Sequence, residues 1–405
     1  MVNIRRLIAR LARLGRRIYL LFCVIVFIII ATNYNKKMFL NETIKEKSSK
    51  PKLTTVYKVP SCVYKVPSHY IKEHVSTARA KLNYQLSFYN FSLNLDNLVM
   101  ESGGRPLRSL ILSTWKSGTT FLGEILNAIP GSYYFYEPLL MYGIKQIRER
   151  EQPEADIALH TITSLLKCNY ETLKKYLEFA RERVDQLRRN TRIWHHCKFM
   201  KHLCCDFEFM SQICMLFPFQ VMKLVRLRLK LIPKILDDKE LNVKLIFLVR
   251  DPRGMMHSRR NVEFCPNTTD CGDPKIACQD MLNDYVAARD LLQKYPGRLM
   301  VIRFEELAME PYDVSLRILK FLGHSVTGPV YEYLNKHTNA TKPFSNTYRV
   351  SSRVPFKWKN KMDFVAVSEI QEVCKLAMKK WGYKMAFNET HMRSEDFNPL
   401  DNYTI

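Results

Sequence analysis

The sequence predicts an α/β protein in which a parallel sheet is flanked by helices, with a transmembrane helix at the N-terminus. Three observations support this: short apolar runs of strand length follow residue 106, helical patterns separate those runs, and an uncharged apolar segment lies near the start. The chain has 405 residues, 47% of them hydrophobic, so it can bury a sizeable core. This composition excludes a disordered protein.

The N-terminal segment combines a basic flank with an apolar span. Six arginines lie within residues 1–17, and residues 18–35 carry no charged side chain. At about 1.5 Å per residue the span is roughly 27 Å long, enough to cross a thin bilayer. The arginines predict a cytosolic N-terminus and a type II signal-anchor. A cleaved signal peptide is the alternative, but the apolar run is long for one and lacks a small-residue cleavage pattern.

Glycan acceptor triplets and cysteines both indicate that the chain beyond the span is lumenal. Of the eleven cysteines, only Cys23 lies in the span, which favours an oxidising compartment where several of the others pair, in an order the sequence leaves open. Histidines and cysteines between residues 195 and 214 are alternative zinc ligands, but their irregular spacing favours disulfides, and we expect no metal. Asn-X-Ser/Thr triplets begin at Asn41, Asn90, Asn267, Asn339, Asn388 and Asn402.

The chain divides into five segments by composition. The net charge is +24, from 63 basic and 39 acidic residues, which favours an anionic partner. In the folded domain, apolar runs at residues 107–113, 241–249 and 299–304 predict strands, and residues 142–240 predict helices. The segments are a cytosolic tail (1–17), a transmembrane signal-anchor (18–35), a polar stem (36–106), the α/β domain (107–385) and a C-terminal tail (386–405).

The loop after the first predicted strand has the composition of a phosphate-binding loop. Glycine, serine and threonine at a strand-to-helix turn present backbone N–H groups and a helix N-terminus to an anion. Lys116 precedes Gly118, whereas the kinase pattern GxxxxGK[ST] has its lysine after the last glycine. The predicted fold is therefore a P-loop-like parallel sheet, but the loop is not that of an ordinary nucleotide kinase.

Two motifs resemble those of sulfotransferases. The segment KSGTTFL, residues 116–122, resembles the 5'-phosphosulfate loop, and VRDPRGMMHSR, residues 249–259, is similar to the 3'-phosphate motif. Further segments at 223–227, 301–307, 357–359 and 381–383 resemble the Golgi carbohydrate 6-O-sulfotransferases, which act on GlcNAc, Gal or GalNAc in keratan and chondroitin chains. This chain has Lys-Ser-Gly-Thr-Thr where that group usually has Arg-Ser-Gly-Ser-Ser, which leaves the acceptor less certain than the nucleotide.

The resemblance implies the sulfotransferase fold, with residues 107–385 as catalytic domain, and 3'-phosphoadenylyl sulfate as co-substrate. Lys116 is the expected catalytic cation, and Arg250 and Ser258 are expected to bind the 3'-phosphate. Arg253 has an alternative role, as a structural partner of Asp251. The expected nucleotide-binding residues are Lys116, Ser117, Gly118, Thr119, Thr120, Phe121, Leu122, Arg250, Asp251, Pro252, Arg253 and Ser258.

The base that accepts the proton of the attacking hydroxyl has three candidates. Glu137, twenty-one residues after Lys116, resembles the acidic base of several glycan sulfotransferases. Glu124 on the first predicted helix and His257 beside the second motif are its competitors. Trp358 either closes over the nucleotide or packs in the core.

These expectations define a single-pass type II enzyme of the Golgi membrane that sulfates a hydroxyl, at C6, of a glycan or proteoglycan. A nucleic-acid partner is not expected, and the sequence leaves the oligomeric state open, a homodimer included. The alternatives are a lumenal nucleotide-dependent kinase and a catalytically inactive glycan-binding membrane protein. Donor dependence distinguishes them, because only the first enzyme transfers sulfur from phosphoadenylyl sulfate.

Overall fold

The computed structural model describes residues 66–91, 93–338 and 350–405. The predicted cytosolic tail, the signal-anchor at residues 18–35 and much of the predicted stem lie outside these residues. None of the helices in the described ranges is both long enough and apolar enough to span a membrane.

The centre of the domain is one sheet of five parallel strands. Its order is β2-β3-β1-β4-β5, so β1 lies in the middle between β3 and β4. The predicted parallel sheet is thus confirmed, and the three predicted strands correspond to β1, β4 and β5. The strands are β1 (Leu107–Leu112), β2 (Ser132–Tyr136), β3 (Phe219–Leu224), β4 (Val243–Val249) and β5 (Leu299–Arg303).

Helices cover both faces of this sheet, which explains why β1, β4 and β5 each contain an unbroken stretch of apolar residues. In β1, Leu110 and Leu112 belong to one buried cluster and Ile111 to another on the opposite face. The helices of the described residues are α1 (Ser68–Leu86), α2 (Thr119–Asn127), α3 (Glu154–Leu166), α4 (Lys174–Glu182), α5 (Thr191–Phe199), α6 (Phe207–Met215), α7 (Pro233–Leu236), α8 (Pro252–Arg260), α9 (Thr269–Gly272), α10 (Pro274–Lys294), α11 (Phe304–Met309), α12 (Pro311–Leu322), α13 (Gly328–Thr338), α14 (Trp358–Lys361), α15 (Phe364–Lys380) and α16 (Glu389–Arg393). Short 3-10 helices add Leu95–Leu98, Met100–Ser102, Leu140–Tyr142, Val184–Arg189, Lys201–Cys205, Leu229–Leu231 and Ser351–Arg353.

The prediction of helices throughout residues 142–240 is wrong at β3. All six residues of β3 are buried, although two of them are the polar Gln220 and Lys223. Both polar side chains have partners, with Gln220 accepting a hydrogen bond from Arg108 at 3.1 Å and Lys223 pairing with Glu137. Buried polar residues with partners interrupt the apolar run that otherwise indicates a central strand.

Parts of both segments outside the predicted catalytic domain pack against its core. In α1, which falls in the predicted stem, Ile71, Val75, Ala78 and Leu82 recur at helical spacing and are buried in the main core. In the predicted C-terminal tail, Met392 of α16 is also buried there. The polar composition of these segments hides the single apolar face that each one buries.

Within the described residues, four disulfides join cysteines whose order of pairing the sequence left open, and they confirm the expected disulfide bonding. One of them, Cys278–Cys374, joins α10 to α15 across 96 positions of sequence, whereas Cys197–Cys204 spans seven. The other two pairs are Cys168–Cys214 and Cys265–Cys271.

We expect the long-range disulfide to stabilise the fold more than the short-range one. In the chain-entropy view, a cross-link restricts the unfolded chain more when the loop it closes is longer. Replacing Cys278 and Cys374 with alanine should therefore lower the free energy of unfolding by about 2 kcal/mol more than replacing Cys197 and Cys204. Urea unfolding of the two double variants measures this difference, and equal losses would contradict it.

Candidate active site

The loop between β1 and α2, residues 113–118, adopts a strained conformation that its sequence permits. Lys116 has φ +65° and Gly118 has φ +93°, both in the left-handed region that non-glycine residues rarely occupy. A Cβ on Gly118 would lie 2.2 Å from the ring of Phe304. Only glycine therefore fits at this position, directly before the first residue of α2. We refer to residues 113–118 as the phosphate loop.

The second motif begins where β4 ends, at the same edge of the sheet, and contacts the phosphate loop directly. The Arg250 guanidinium donates a 2.6 Å hydrogen bond to the carbonyl of Lys116 and lies 4.5 Å above the Phe304 ring. Asp251 accepts a hydrogen bond from the Arg253 amide at 2.9 Å, and Pro252 occupies the first turn of α8. These residues give α8 a capped N-terminus beside the loop.

A cavity of about 360 Å³ lies over these two motifs, within the usual range for a small-molecule site. Its charged lining consists of four cations and one carboxylate, which favours an anionic ligand. The four cations are Lys116, Arg189, Lys223 and Arg250, and the carboxylate is Glu137. The residues expected at the site that do line it are Lys116, Gly118, Thr119, Thr120, Phe121, Glu137, Arg250 and Ser258.

Five residues expected at the nucleotide site do not line this cavity. Leu122 is fully buried in the apolar core. The Ser117 hydroxyl donates a 2.9 Å hydrogen bond to the carbonyl of Thr114, inside the phosphate loop. The other three are the helix-starting Asp251, Pro252 and Arg253, which are buried behind the cavity wall.

Arg253 has the structural role that the sequence offered as its alternative. Its guanidinium donates to both carboxylate oxygens of Asp251, at 3.0 and 2.8 Å, and to the side chain of Gln371 at 2.9 Å. Its face lies 4.1 Å from the centre of the Trp358 ring, and that tryptophan is fully buried. Trp358 therefore packs in the core, and Arg253 holds α8 against α14 and α15.

Glu137 lies just after β2 and is held between two buried cations. Lys223 and Arg226 each donate to a different oxygen of its carboxylate, both at 2.5 Å. Burial alone raises the pKa of Glu137, but the charges and hydrogen bonds of the two cations outweigh burial and lower the pKa to about 2. The carboxylate is therefore ionised at neutral pH, the form that can accept a proton.

The backbone conformation of Glu137 is also unusual, because its φ of +47° lies in the left-handed region. Only four non-glycine residues of the described chain have positive φ, and two of them are Lys116 and Glu137. Strained backbone of this kind persists where the surrounding structure enforces it, often at functional sites.

The competing candidates for the base do not line the cavity. Glu124 on α2 pairs with Arg189 and accepts a 2.9 Å hydrogen bond from the Tyr333 hydroxyl. His257 is half-buried, and burial together with the charge of Arg250 lowers its pKa. Glu137 is the candidate that the structure brings to the same cavity as Lys116.

Three side chains at or beside the cavity were not singled out from the sequence. Lys223 lines the cavity and lies 4.3 Å from the centre of the Tyr136 ring, while Arg226 fixes Glu137 and also donates to the carbonyl of Gly143 at 2.5 Å. Arg259, the last residue of the second motif, lies under the phosphate loop. The resemblance of residues 223–227 and 249–259 to family landmarks was the only signal for these three side chains.

We expect Glu137 to make stability depend on pH in the acid range. Because its pKa is lowered in the folded protein, its ion pairs stabilise the fold above the ordinary carboxyl pKa, and the stabilisation is lost as the pH falls toward about 2. From about pH 5 to pH 3, the free energy of unfolding should fall less steeply in Glu137→Gln than in the unmodified protein, by up to about 1.4 kcal/mol per pH unit. Urea unfolding at several pH values tests this.

The matched control is Glu182→Gln, at an exposed carboxylate. Its unfolding free energies should follow those of the unmodified protein across the same pH range. Parallel curves for Glu137→Gln and the unmodified protein would show that Glu137 is not held ionised by its two partners.

Comparison with known proteins identifies the family of this chain. The model of the sulfotransferase domain family matches residues 106–382. Carbohydrate sulfotransferase 5 of Mus musculus is 24% identical over 335 residues, covering 72% of this chain and 84% of the relative, and carbohydrate sulfotransferase 6 of Homo sapiens is 23% identical over 339 residues with the same coverage. Mouse sulfotransferase SULT7A1, solved in complex with PAP, aligns with a TM-score of 0.38 at 14% identity, covering 76% of this chain and 89% of that one. On the family match, the chain belongs to the sulfotransferase domain family.

Proposed function

We propose that this protein is a carbohydrate sulfotransferase that moves a sulfuryl group from 3'-phosphoadenylyl sulfate to a hydroxyl of a glycan. The observation that supports it best is the direct contact of Arg250 with the phosphate loop, which brings two cationic motifs to one cavity. Two separate cationic motifs suit a ligand with two separate phosphate groups. Membership of the sulfotransferase family and the similarity to carbohydrate sulfotransferases agree with this ligand and reaction.

The phosphate loop is the proposed site of the 5'-phosphosulfate. Gly118 leaves the N-terminus of α2 open, and Thr119 and Thr120 there line the cavity with their backbone N–H groups unpaired within the helix. Lys116 would place its charge against the oxygen that bridges phosphorus and sulfur. On the β4 side, Arg250 and Ser258 line the part of the cavity that would hold the 3'-phosphate.

The proposed reaction is an in-line displacement at sulfur. The acceptor hydroxyl oxygen forms a bond to sulfur while the bond from sulfur to the bridging oxygen breaks, and adenosine 3',5'-bisphosphate leaves with that oxygen. Lys116 stabilises the negative charge that develops on the leaving oxygen. The hydroxyl proton passes to Glu137, which is ionised and therefore able to accept it.

A weak base is sufficient if the transition state is loose, as it is in most phosphoryl transfers. In such a transition state the attacking hydroxyl retains its proton until the bond to sulfur is largely formed. Lys223 and Arg226 then have a second role, since they keep Glu137 in one orientation for the acceptor.

The acceptor would lie on the other side of the phosphate loop from the 3'-phosphate. Sheet order places β2 and β3, with Glu137 and Lys223, on one side of β1, and β4, with Arg250, on the other. Arg189, from the segment between β2 and β3, also lines the cavity. We propose that this segment selects the acceptor, with the C6 hydroxyl of GlcNAc, Gal or GalNAc as the expected target.

We also propose the Golgi lumen as the place of the reaction, with residues 18–35 as a type II signal-anchor. The disulfides support an oxidising compartment. The asparagines of the four glycan acceptor triplets that fall in the described residues are exposed, as glycosylation requires: Asn90, Asn267, Asn388 and Asn402.

Replacing Lys116 with alanine should reduce sulfuryl transfer by roughly a hundredfold to a thousandfold, the usual cost of removing a group that stabilises transition-state charge. Labelled phosphoadenylyl sulfate and a panel of desulfated keratan, chondroitin and heparan chains measure the transfer. Binding of adenosine 3',5'-bisphosphate should persist, because Arg250 and Ser258 remain.

The control variant is Lys375→Ala, which removes an exposed lysine of α15 and should leave transfer unchanged. Full activity in Lys116→Ala would exclude the role proposed for this lysine. Transfer from labelled ATP in place of phosphoadenylyl sulfate would identify the protein as a kinase, and absence of transfer from either donor would leave it a binding protein.

A further inference from the structure

A buried arginine lies under the phosphate loop and contacts it at two points. The Arg259 guanidinium donates to the carbonyl of Trp115 at 3.2 Å and to the hydroxyl oxygen of Thr114 at 2.8 Å. It also donates to the carbonyl of Cys271 at 2.9 Å. Only 1% of Arg259 is exposed, so these contacts are made in the protein interior. The reaction proposed above assigns no role to the positive charge of Arg259 beneath the phosphate loop.

The segment that Arg259 contacts on the side away from the phosphate loop contains a disulfide. Cys271 pairs with Cys265, and both cysteines pack in a small buried cluster with Trp115 and Val225. Arg259 therefore connects the phosphate loop to a segment that cannot easily shift. Thr114 is held from a second direction, since its hydroxyl oxygen also accepts a 3.1 Å hydrogen bond from the Gln146 amide.

These contacts orient the loop as well as hold it. A trans peptide group is planar, so its N–H points opposite to its carbonyl. Because Arg259 binds the carbonyl of Trp115 from the buried side, the N–H of Lys116 is turned toward the open side of the loop. Lys116 has the left-handed φ of +65°, a conformation that a loop without such contacts would leave.

The charge of Arg259 is not neutralised by direct contact with a carboxylate of the described residues. Asp270 and Asp280, whose charges act on it, are both bonded to Arg148 instead. Burial, and then the charge of Arg228, lower the pKa of Arg259 to about 9, which still leaves it protonated at neutral pH. A buried cation that contacts no carboxylate is costly, and an anion bound on the loop above it would offset that cost.

We propose that Arg259 is a positioning residue of the phosphate loop that acts on the 5' end of the nucleotide and not on its 3' end. This inference rests on the proposed function, because it assumes that the loop binds the 5'-phosphosulfate. Arg250 is assigned to the 3'-phosphate, since it lines the cavity on the β4 side. Substitutions of the two arginines should therefore weaken binding of different phosphates of the nucleotide.

Lysine is the informative replacement at position 259. It keeps the positive charge but lacks the planar fork that reaches three acceptors at once. Arg259→Lys should lower the affinity for adenosine 5'-monophosphate and for adenosine 3',5'-bisphosphate by roughly tenfold to a hundredfold. The affinity for adenosine 3'-monophosphate should change by less than about twofold, since no hydrogen bond to that phosphate is lost.

Isothermal titration calorimetry measures the affinity for each of these three nucleotides in the unmodified protein and in three variants. The first variant is Arg259→Lys. Arg250→Lys is the reference, with its larger loss expected for the two nucleotides that carry a 3'-phosphate. Arg260→Lys is the matched control, because it makes the same substitution at the exposed neighbouring residue of α8 and should bind all three nucleotides normally. In sulfuryl transfer, Arg259→Lys should lower kcat together with donor affinity, while the KM for the glycan stays unchanged.

An equal loss of affinity for all three nucleotides would show that Arg259 supports the fold only, and no loss would show that it has no role in binding. If Arg259→Lys does not fold, Thr114→Val tests the same claim, because it removes the hydroxyl oxygen that Arg259 and Gln146 share while leaving both side chains in place. Its loss should again be confined to nucleotides with a 5'-phosphate. Failure of the unmodified protein to bind the bisphosphate would sink the proposed function itself, whereas normal binding with an unselective variant would overturn only this inference.

Discussion

The hydrogen bond between Arg250 and the carbonyl of Lys116 is the contact on which the rest of the site depends. It is possible because β1 and β4 are neighbours in a parallel sheet, so that the loops that follow them leave the same edge. The contact places a cation from the second motif beside the backbone of the first. The proposed donor, with two separate phosphates, requires the two loops to meet at one cavity in this way.

The cations on the two sides of the phosphate loop are arranged differently, and the difference corresponds to two tasks. On the β2 and β3 side, Lys223 and Arg226 are bonded to Glu137, so their charges serve to orient a carboxylate. On the β4 side, Arg250 donates to the carbonyl of Lys116 and stacks on Phe304 at the wall of the cavity. In the proposed reaction, the donor's phosphates need cations at the cavity wall, and a hydroxyl that must lose a proton needs an oriented carboxylate.

The sequence was most informative where a structural feature depends on composition alone. The strands β1, β4 and β5 were predicted because each contains at least three consecutive apolar residues. In β3 the polar Gln220 and Lys223 leave only two apolar residues between them, and both polar side chains are buried with partners far away in the chain. Those partners are brought together only by the tertiary fold. The phosphate loop and the second motif were recognised from short segments that resemble the motifs of sulfotransferases.

What the sequence could not show is which members of a motif face the ligand. Asp251 and Arg253 have the residue types of a phosphate site, but they bind each other, and Arg259 lies under the loop instead of beside the cavity. In a helix such as α8, the side chains of neighbouring residues point in different directions. The order of residues in a motif therefore does not show which side chains line the cavity and which are buried in the core. The sequence also left the disulfide pairing undecided, because the pairing depends on which segments of the chain lie close together in the fold.

Backbone strain and buried charge lie close together, in the phosphate loop and directly beneath it. The left-handed backbone of Lys116 and the buried charge of Arg259 are each unfavourable in isolation. The fold holds them in place through contacts made elsewhere, with the disulfide-linked Cys271 behind Arg259 and Phe304 beneath Arg250. The cost of assembling the charges is thus met when the protein folds, so a phosphate bound as proposed would meet donors that are already oriented. A site organised in this way gains affinity from the ligand's charge without having to rearrange around it.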